Sequence, residues 1–179
     1  MVTFALVCAG DFDELAAIRI AAMKESLERV GRFDPERAKV RLRNSFFPEH
    51  TRFIILGTVR AGFYALRPSD DGWHLDHLYV LPQFQGRGIG TTVMKEIFRD
   101  ADRQRISIFV GALKESASNR FYLRLGFSKT GESEWDIYYR RMASEAIEGE
   151  QAMERGRPRP RDWDGDGSAV AAAPDDFLQ

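Results

Sequence analysis

Between His74 and Gly90 the chain reads His-Leu-Asp-His-Leu-Tyr-Val-Leu-Pro-Gln-Phe-Gln-Gly-Arg-Gly-Ile-Gly. Three titratable side chains, His74, Asp76 and His77, open this stretch, and three alternating glycines, Gly86, Gly88 and Gly90, close it. Glycine has no Cβ, so a ligand can come close to the backbone and meet amides that point outward. A helix starting at that point adds its N-terminal dipole, which favours negative charge. Arg87 contributes a fixed positive charge in the same turn. The chemistry suggested is anion binding, and a pyrophosphate is the natural occupant. Two familiar phosphate loops are excluded. A P-loop needs Lys-Ser/Thr after its last glycine, which Ile89-Gly90-Thr91 does not supply. The spacing here is G-x-G-x-G, whereas the dinucleotide fingerprint is G-x-G-x-x-G.

The flanking residues predict the elements that position this turn. Leu75, His77 and Tyr79 alternate with Leu78 and Val80 in a strand over 73–81, which Pro82 ends because it has no N–H to give. Val93, Met94, Ile97, Phe98 and Ala101 recur at helical spacing after the glycines. Upstream, residues 2–8 read as a strand that buries Cys8. A helix follows with a stripe of Leu15, Ile18, Ala22, Leu27 and Val30, stopped at Gly31. Asp34-Pro35 signals a second helix start. Residues 51–56 and 58–66 form two strands joined at Gly57. Downstream, the pattern gives a strand at 106–110, a helix at 116–125, and a last hairpin from 127–131 and 134–139.

The segment Gln85-Gly86-Arg87-Gly88-Ile89-Gly90, with Leu78-Tyr79-Val80-Leu81-Pro82 leading in, resembles the acyl-CoA loop of the GNAT N-acetyltransferase superfamily. Asn119-Arg120-Phe121-Tyr122-Leu123-Arg124-Leu125-Gly126-Phe127 resembles that family's Tyr-x-x-x-Gly-Phe segment. The order of predicted elements agrees over residues 1–140. The resemblance implies an α/β (α+β) fold in one domain. Its central sheet is mixed and mostly antiparallel, with about seven strands flanked by about four helices, and it splays in a V between the fourth and fifth strands. It implies acetyl transfer from acetyl-CoA, as cosubstrate, to a primary amine by direct attack in a ternary complex. Pantetheine would lie in the splay, between residues 76–80 and 106–110, against the backbone of Leu78, Tyr79 and Val80. The amides from Gln85 through Gly86, Arg87, Gly88, Ile89, Gly90 and Thr91 would hold the pyrophosphate. Tyr122 would protonate the leaving thiolate, since a phenol with pKa about 10 suits a thiol of about 8.5. The family's asparagine seven positions before the tyrosine is Glu115 here, so Ser116 or Asn119 would take over that cofactor contact.

An alkylamine with pKa about 10.4 must also lose a proton. Alternation puts His74 and Asp76 on one face of the strand and His77 on the other, unless a bulge shifts the register. His77, His74, Asp76 and a water chain without a dedicated base all remain candidates. On the acceptor side the resemblance points to the first two helices and the last hairpin. Arg32, Phe33, Arg37, Trp135, Asp136 and Tyr138 there suit a small cationic amine as well as they suit packing or a homodimer interface. The alternative function is a non-catalytic module that holds acyl-CoA as a sensor or scaffold.

The 179 residues are 44% hydrophobic and 30% charged, with a net charge of −1, so no global field selects nucleic acid or a membrane as partner. One cysteine, no basic-then-apolar leader and no long apolar run lead to the expectation of a cytoplasmic protein. No His/Cys spacing predicts a metal site. From 141 onward composition predicts a frayed helix to 155 and a disordered tail over 156–179. Asp162-x-Asp164-x-Asp166-Gly167 opens like a calcium loop, but Ala173 stands where the bidentate Glu is needed.

Overall fold

A computed structural model of the chain describes residues 1–144. The calcium-like run and the expected tail beyond it lie outside the described residues. Seven strands form one open sheet in the order β1-β2-β3-β4-β5-β7-β6. The strands are β1 (Val2–Leu6), β2 (Thr51–Leu56), β3 (Val59–Ser69), β4 (Gly72–Val80), β5 (Ile108–Leu113), β6 (Ser128–Glu132) and β7 (Asp136–Arg141). Four helices flank it: α1 (Phe12–Arg29), α2 (Pro35–Asn44), α3 (Ile89–Gln104) and α4 (Ser118–Arg124). Every neighbouring pair is antiparallel except β4–β5, which is parallel.

Two apolar clusters follow from the two kinds of periodicity. In one, Ile89, Val93, Met94, Ile97 and Ala101 of α3 pack with Tyr122 and Phe127 against Leu75, Ile108, Val110 and Ala112. In the other, Phe12, Leu15, Ala16 and Ile18 of α1 and Leu42 of α2 pack on Phe53 and Phe63. The α2 start is built as its sequence predicts: the Asp34 side chain accepts from the Arg37 amide at 3.0 Å, with Pro35 in the first turn. The stripe expected on α1 is buried only in its first half, and Leu27 and Val30 are partly exposed.

The β4–β5 ladder is short. It pairs Trp73 with Ile108, His74 with Phe109 and Leu75 with Val110, and then stops. At that point the β3–β4 register shifts: Ala65 faces His77 and Leu66 faces Leu75, so Asp76 is the extra residue of a bulge. The bulge reverses the alternation. Leu75 packs in the α3 cluster, as do Leu78 and Val80, whereas Tyr79 packs in the α1 cluster and His77 meets the Phe63 ring of that cluster.

Four sequence expectations need correcting. β5 extends to Leu113, so the open part of the splay faces 111–113; the expected 106–110 includes the residues that still pair. α4 starts at Ser118, not at 116. Cys8 is exposed beyond the end of β1, with its amide and Sγ both directed at Asp11 Oδ2 (2.9 and 3.1 Å). Arg141 ends β7 and does not begin a tail: its guanidinium grips both oxygens of Asp102 at 2.8 and 2.9 Å. Among the described residues, no helix is long and apolar enough to cross a membrane.

Gly62 lets β3 lie close to β4, since a Cβ there would come 2.1 Å from the Tyr79 carbonyl oxygen. Gly62→Ala must push the strands apart. A loss of about 1–3 kcal/mol is expected, at the upper end because the obstacle is backbone. Urea unfolding of the variant against wild type measures it.

Candidate active site

The ends of β4 and β5 part around a cleft of about 170 Å³. Its β4 wall is Leu75, Asp76, Leu78, Tyr79 and Val80, and its β5 wall runs from Val110 to Leu113. Ala22, Met23 and Ser26 of α1 close one side, and Ser116, Ser118 and Tyr122 the other. Gln85 stands at the mouth, and its side-chain amide donates to the Val80 carbonyl at 2.8 Å. Beyond Leu75 the β5-facing backbone of β4 has no strand partner, so it presents hydrogen-bonding groups to whatever enters the cleft.

The glycine turn continues from Gln85. Gly86 and Gly88 have φ of 73° and 74°, the left-handed region that glycine enters without strain, and both face open space. Gly88 is the N-terminal cap residue of α3. Phe84, Gln85 and Thr92 donate the turn and cap hydrogen bonds here, and the amides from Gly86 to Thr91 donate none of them among the described residues. No acidic residue sits in the first turn of α3. Ile89 is buried in the core, so only its amide is available to a ligand. The Arg87 guanidinium lies 5.7 Å from the centre of the Phe84 ring. Amides left open at a helix N-terminus, beside an arginine and without a competing carboxylate, suit a pyrophosphate.

Tyr122 is 6% exposed, packed among Phe121, Phe127 and Tyr139 with ring centres 5.3–6.2 Å away. It lines the cleft, and among the described residues no hydrogen bond ties up its hydroxyl. Burial, with Tyr79 adding, pushes its pKa well above the usual value near 10. The phenol therefore keeps its proton at any physiological pH.

The candidate bases are spread apart. His77 does not line the cleft. The bulge turns it to the α1–α2 face, where it is 6% exposed, its ring meets Phe63 and Tyr79, and its Nε2 lies 2.9 Å from Ser45 Oγ. Burial and the charge of Arg19 lower its pKa from the ordinary histidine value of 6.5 to about 3, so the ring is neutral. His74 is also outside the cleft, stacked on Phe109 at 5.1 Å and bonded through Nε2 to Asp71 at 2.8 Å. Asp76 does line the cleft, but Arg67 Nε and Nη2 hold its two oxygens at 2.9 and 3.2 Å.

Ser116 lines the cleft and Asn119 does not. Asn119 Nδ2 donates to the Leu113 and Ser116 carbonyls at 2.9 and 3.1 Å, while its Oδ1 accepts from Tyr139 Oη at 2.9 Å. It ties α4 to β5 and β7 and thereby sets where Tyr122, one turn later, stands. Sequence reasoning missed Ser26, Met23 and Ser118. Small polar or apolar residues on a helix carry no signal of where the helix leaves the sheet and crosses a cleft.

Residues 49–129 match the family described as the acetyltransferase (GNAT) domain. The chain carries a GNAT acetyltransferase domain. No sequence among the curated proteins matches it. Solved structures share the GNAT fold. The PaiA N-acetyltransferase of Thermoplasma acidophilum, in complex with coenzyme A, superposes with a TM-score of 0.66 at 15% identity, over 79% of this chain and 99% of that one. An acetyltransferase of Thermus thermophilus gives 0.64 at 15% identity, over 79% and 97%. An N-acetyltransferase of Staphylococcus aureus gives 0.59 at 13%, over 77% and 98%.

The geometry leaves His77 outside the cleft, and its burial gives it a part in stability. A buried neutral histidine whose folded pKa lies below its unfolded value stabilises the GNAT domain fully above pH 6.5. That contribution is lost as pH falls from 6.5 towards 3. Between pH 6.5 and 5, wild type should lose up to about 1.4 kcal/mol per pH unit more than His77→Gln. Urea midpoints across that range check it, and kcat of the variant should stay within about threefold because the ring lies outside the cleft.

Proposed function

We propose that this GNAT domain is an N-acetyltransferase that moves an acetyl group from acetyl-CoA to a primary amine by direct attack in a ternary complex. The observation that carries the reading is Tyr122: a phenol with a free hydroxyl, kept protonated by burial, on the wall of a cleft that reaches Gln85, where the glycine turn begins. The amides from Gly86 to Thr91, with Arg87, would hold the pyrophosphate, and the open β4 backbone at Leu78, Tyr79 and Val80 would run along pantetheine. Ser116 and Ser118 add hydroxyls beside that path. The thioester supplies the acyl group in activated form.

A cleft that holds amine and thioester side by side replaces a bimolecular encounter by a positioned one. The amine nitrogen forms the new C–N bond as the C–S bond breaks, the sulfur takes the proton of Tyr122 Oη, and Tyr122 regains one from water, which has received the proton the amine loses. In bulk water a phenol with so high a pKa would be a poor acid towards a thiol of pKa about 8.5. In the cleft the thiolate is desolvated as well, so a hydrogen bond from Oη to sulfur stabilises charge where it develops. The amine gives its own proton to water. Asp76 is the only one of the three candidate bases in the cleft, and Arg67 occupies both its oxygens. That same scarcity of a free base favours the second reading, an acyl-CoA sensor without turnover, and thiol release in the presence of amines separates the two.

Two substitutions test the assignment. Tyr122→Phe should lower kcat by about 10²-fold or more, with acetyl-CoA affinity changed by less than about threefold. Thiol-release kinetics and calorimetry measure the pair, and an unchanged kcat would overturn the general-acid role. Gly88→Val puts a β-branched residue at φ 74° in the anion-binding turn. Acetyl-CoA binding by calorimetry should disappear while the far-ultraviolet circular dichroism stays that of wild type.

A further inference from the structure

Gly111 lies inside β5, just past the last residue that pairs with β4, and it forms part of the cleft wall. Glycine inside a strand is ordinarily a loss relative to alanine, because it gives the unfolded chain more freedom and packs nothing. Close packing explains Gly62, where a Cβ would strike the Tyr79 carbonyl oxygen. It does not explain Gly111. The φ of Gly111 lies outside the left-handed region, so alanine fits the backbone. Among the described residues, a Cβ there would meet only Cδ1 and Cε1 of Tyr138, both at an ordinary contact distance of 3.5 Å. Packing therefore does not require glycine at 111, and the space of the missing side chain belongs to the cleft.

The direction of that space follows from β5. Ile108, Val110 and Ala112 are buried in the α3 cluster, so by alternation Gly111 opens to the opposite face of the sheet, that of α1 and α2. There Ala22, Met23 and Ser26 of α1 close the cleft. The helix that starts at the glycine turn, α3, packs on the other face. Tyr138 of β7 pairs with Gly111 on one side and with Gly131 of β6 on the other. One edge of its ring lies toward Gly111, and its Cδ2 is 4.0 Å from where a Gly131 Cβ would stand. No side chain rises beside the half-buried ring in its cross-strand row. The result is a low aromatic strip, reached from the cleft over the exposed backbone of Gly111.

Resting on the acetyl-transfer reading, we propose that Gly111 is a specificity-determining residue on the acceptor side, and that the acceptor it admits is a primary amine with an aryl body. The amine enters from the α1 face. Its planar group passes over Gly111 onto the Tyr138 ring, and its nitrogen reaches into the cleft towards the thioester. A ring without flanking side chains matches a planar ligand, and offset or edge-on aromatic contact adds to the apolar area buried. A methyl group at 111 would fill that passage without disturbing the strand.

The full chain is assayed for thiol release from acetyl-CoA with 2-phenylethylamine, 2-cyclohexylethylamine and ethylamine. Binding of the same amines to protein saturated with CoA is followed by saturation-transfer NMR. In wild type, KM should be lowest for 2-phenylethylamine, about tenfold below that for ethylamine. Gly111→Ala should raise KM for 2-phenylethylamine about tenfold and that for ethylamine less than about twofold, with KM for acetyl-CoA within about threefold. Its urea midpoint should equal or exceed that of wild type, as expected where glycine serves no packing need. Tyr138→Leu keeps an apolar side chain but removes the ring, and it should erase the preference for the phenyl over the cyclohexyl compound. Four results overturn the proposal and leave acetyl transfer standing: a wild-type KM for 2-phenylethylamine no lower than for ethylamine, an unchanged phenyl KM in Gly111→Ala, a lowered urea midpoint in that variant, or a phenyl preference that survives Tyr138→Leu. Binding of 2-phenylethylamine that Gly111→Ala weakens, with no thiol release from any amine, supports the site and overturns acetyl transfer. Neither binding nor release with any of the three overturns both.

Discussion

The site depends on a ladder that stops after three residue pairs. Leu75 and Val110 are the last partners of β4 and β5, and the bulge at Asp76 sits immediately beyond them. Parallel strands held together along their full length would leave no cleft, and strands that never paired would leave no fixed geometry for one. The short ladder anchors the two walls at one end, while α3 and α4 on one face and α1 and α2 on the other hold them apart at the other. Sheet backbone left open in this way is normally a liability. Here it is enclosed by Tyr122, Ser26 and Gln85, so it faces a cleft and not bulk solvent.

The same bulge divides the ionisable groups of β4 between two environments. Asp76 turns to the cleft and into the grip of Arg67, and His77 turns into the core beneath α1 and α2. Burial then acts with opposite consequences on two residues that sequence reasoning treated alike as proton carriers. It removes the proton from His77 and locks it onto Tyr122, because in both cases the charged form is the one that loses solvation. A buried imidazole is silent at neutral pH, whereas a buried phenol remains a donor.

On the α1–α2 side of the cleft, charge and packing are joined in the same residues. Arg19 helps fasten α1 to α2 through the Ala38 carbonyl, and Arg32 fastens their connection to the β6–β7 turn through Trp135. Asn119 does the corresponding work on the other face, tying α4 to β5 and β7. The polar groups near the cleft thus hold the elements that shape it.

Much of this was legible in the residues alone. The glycine turn, the amphipathic α3 and the Tyr122-to-Phe127 segment are local features. Alternating glycines, helical apolar spacing and a cap-proline start at Asp34 depend on backbone geometry within a few residues, which the chain itself sets. The order of elements followed from them, and the fold followed from the resemblance of the glycine turn and the Tyr122-to-Phe127 segment to the GNAT family. What only the tertiary structure decided is the register of β4. A bulge changes which face every later side chain meets, and its position follows from how Ala65, Leu66 and Gly62 of β3 pack against β4, residues distant in sequence. That one shift took His77 out of the cleft. Other distant contacts made Asn119 a brace between α4, β5 and β7 and left Cys8 exposed. Side-chain type can be read along a chain, but burial, pairing and net local charge are sums over neighbours that only folding brings together.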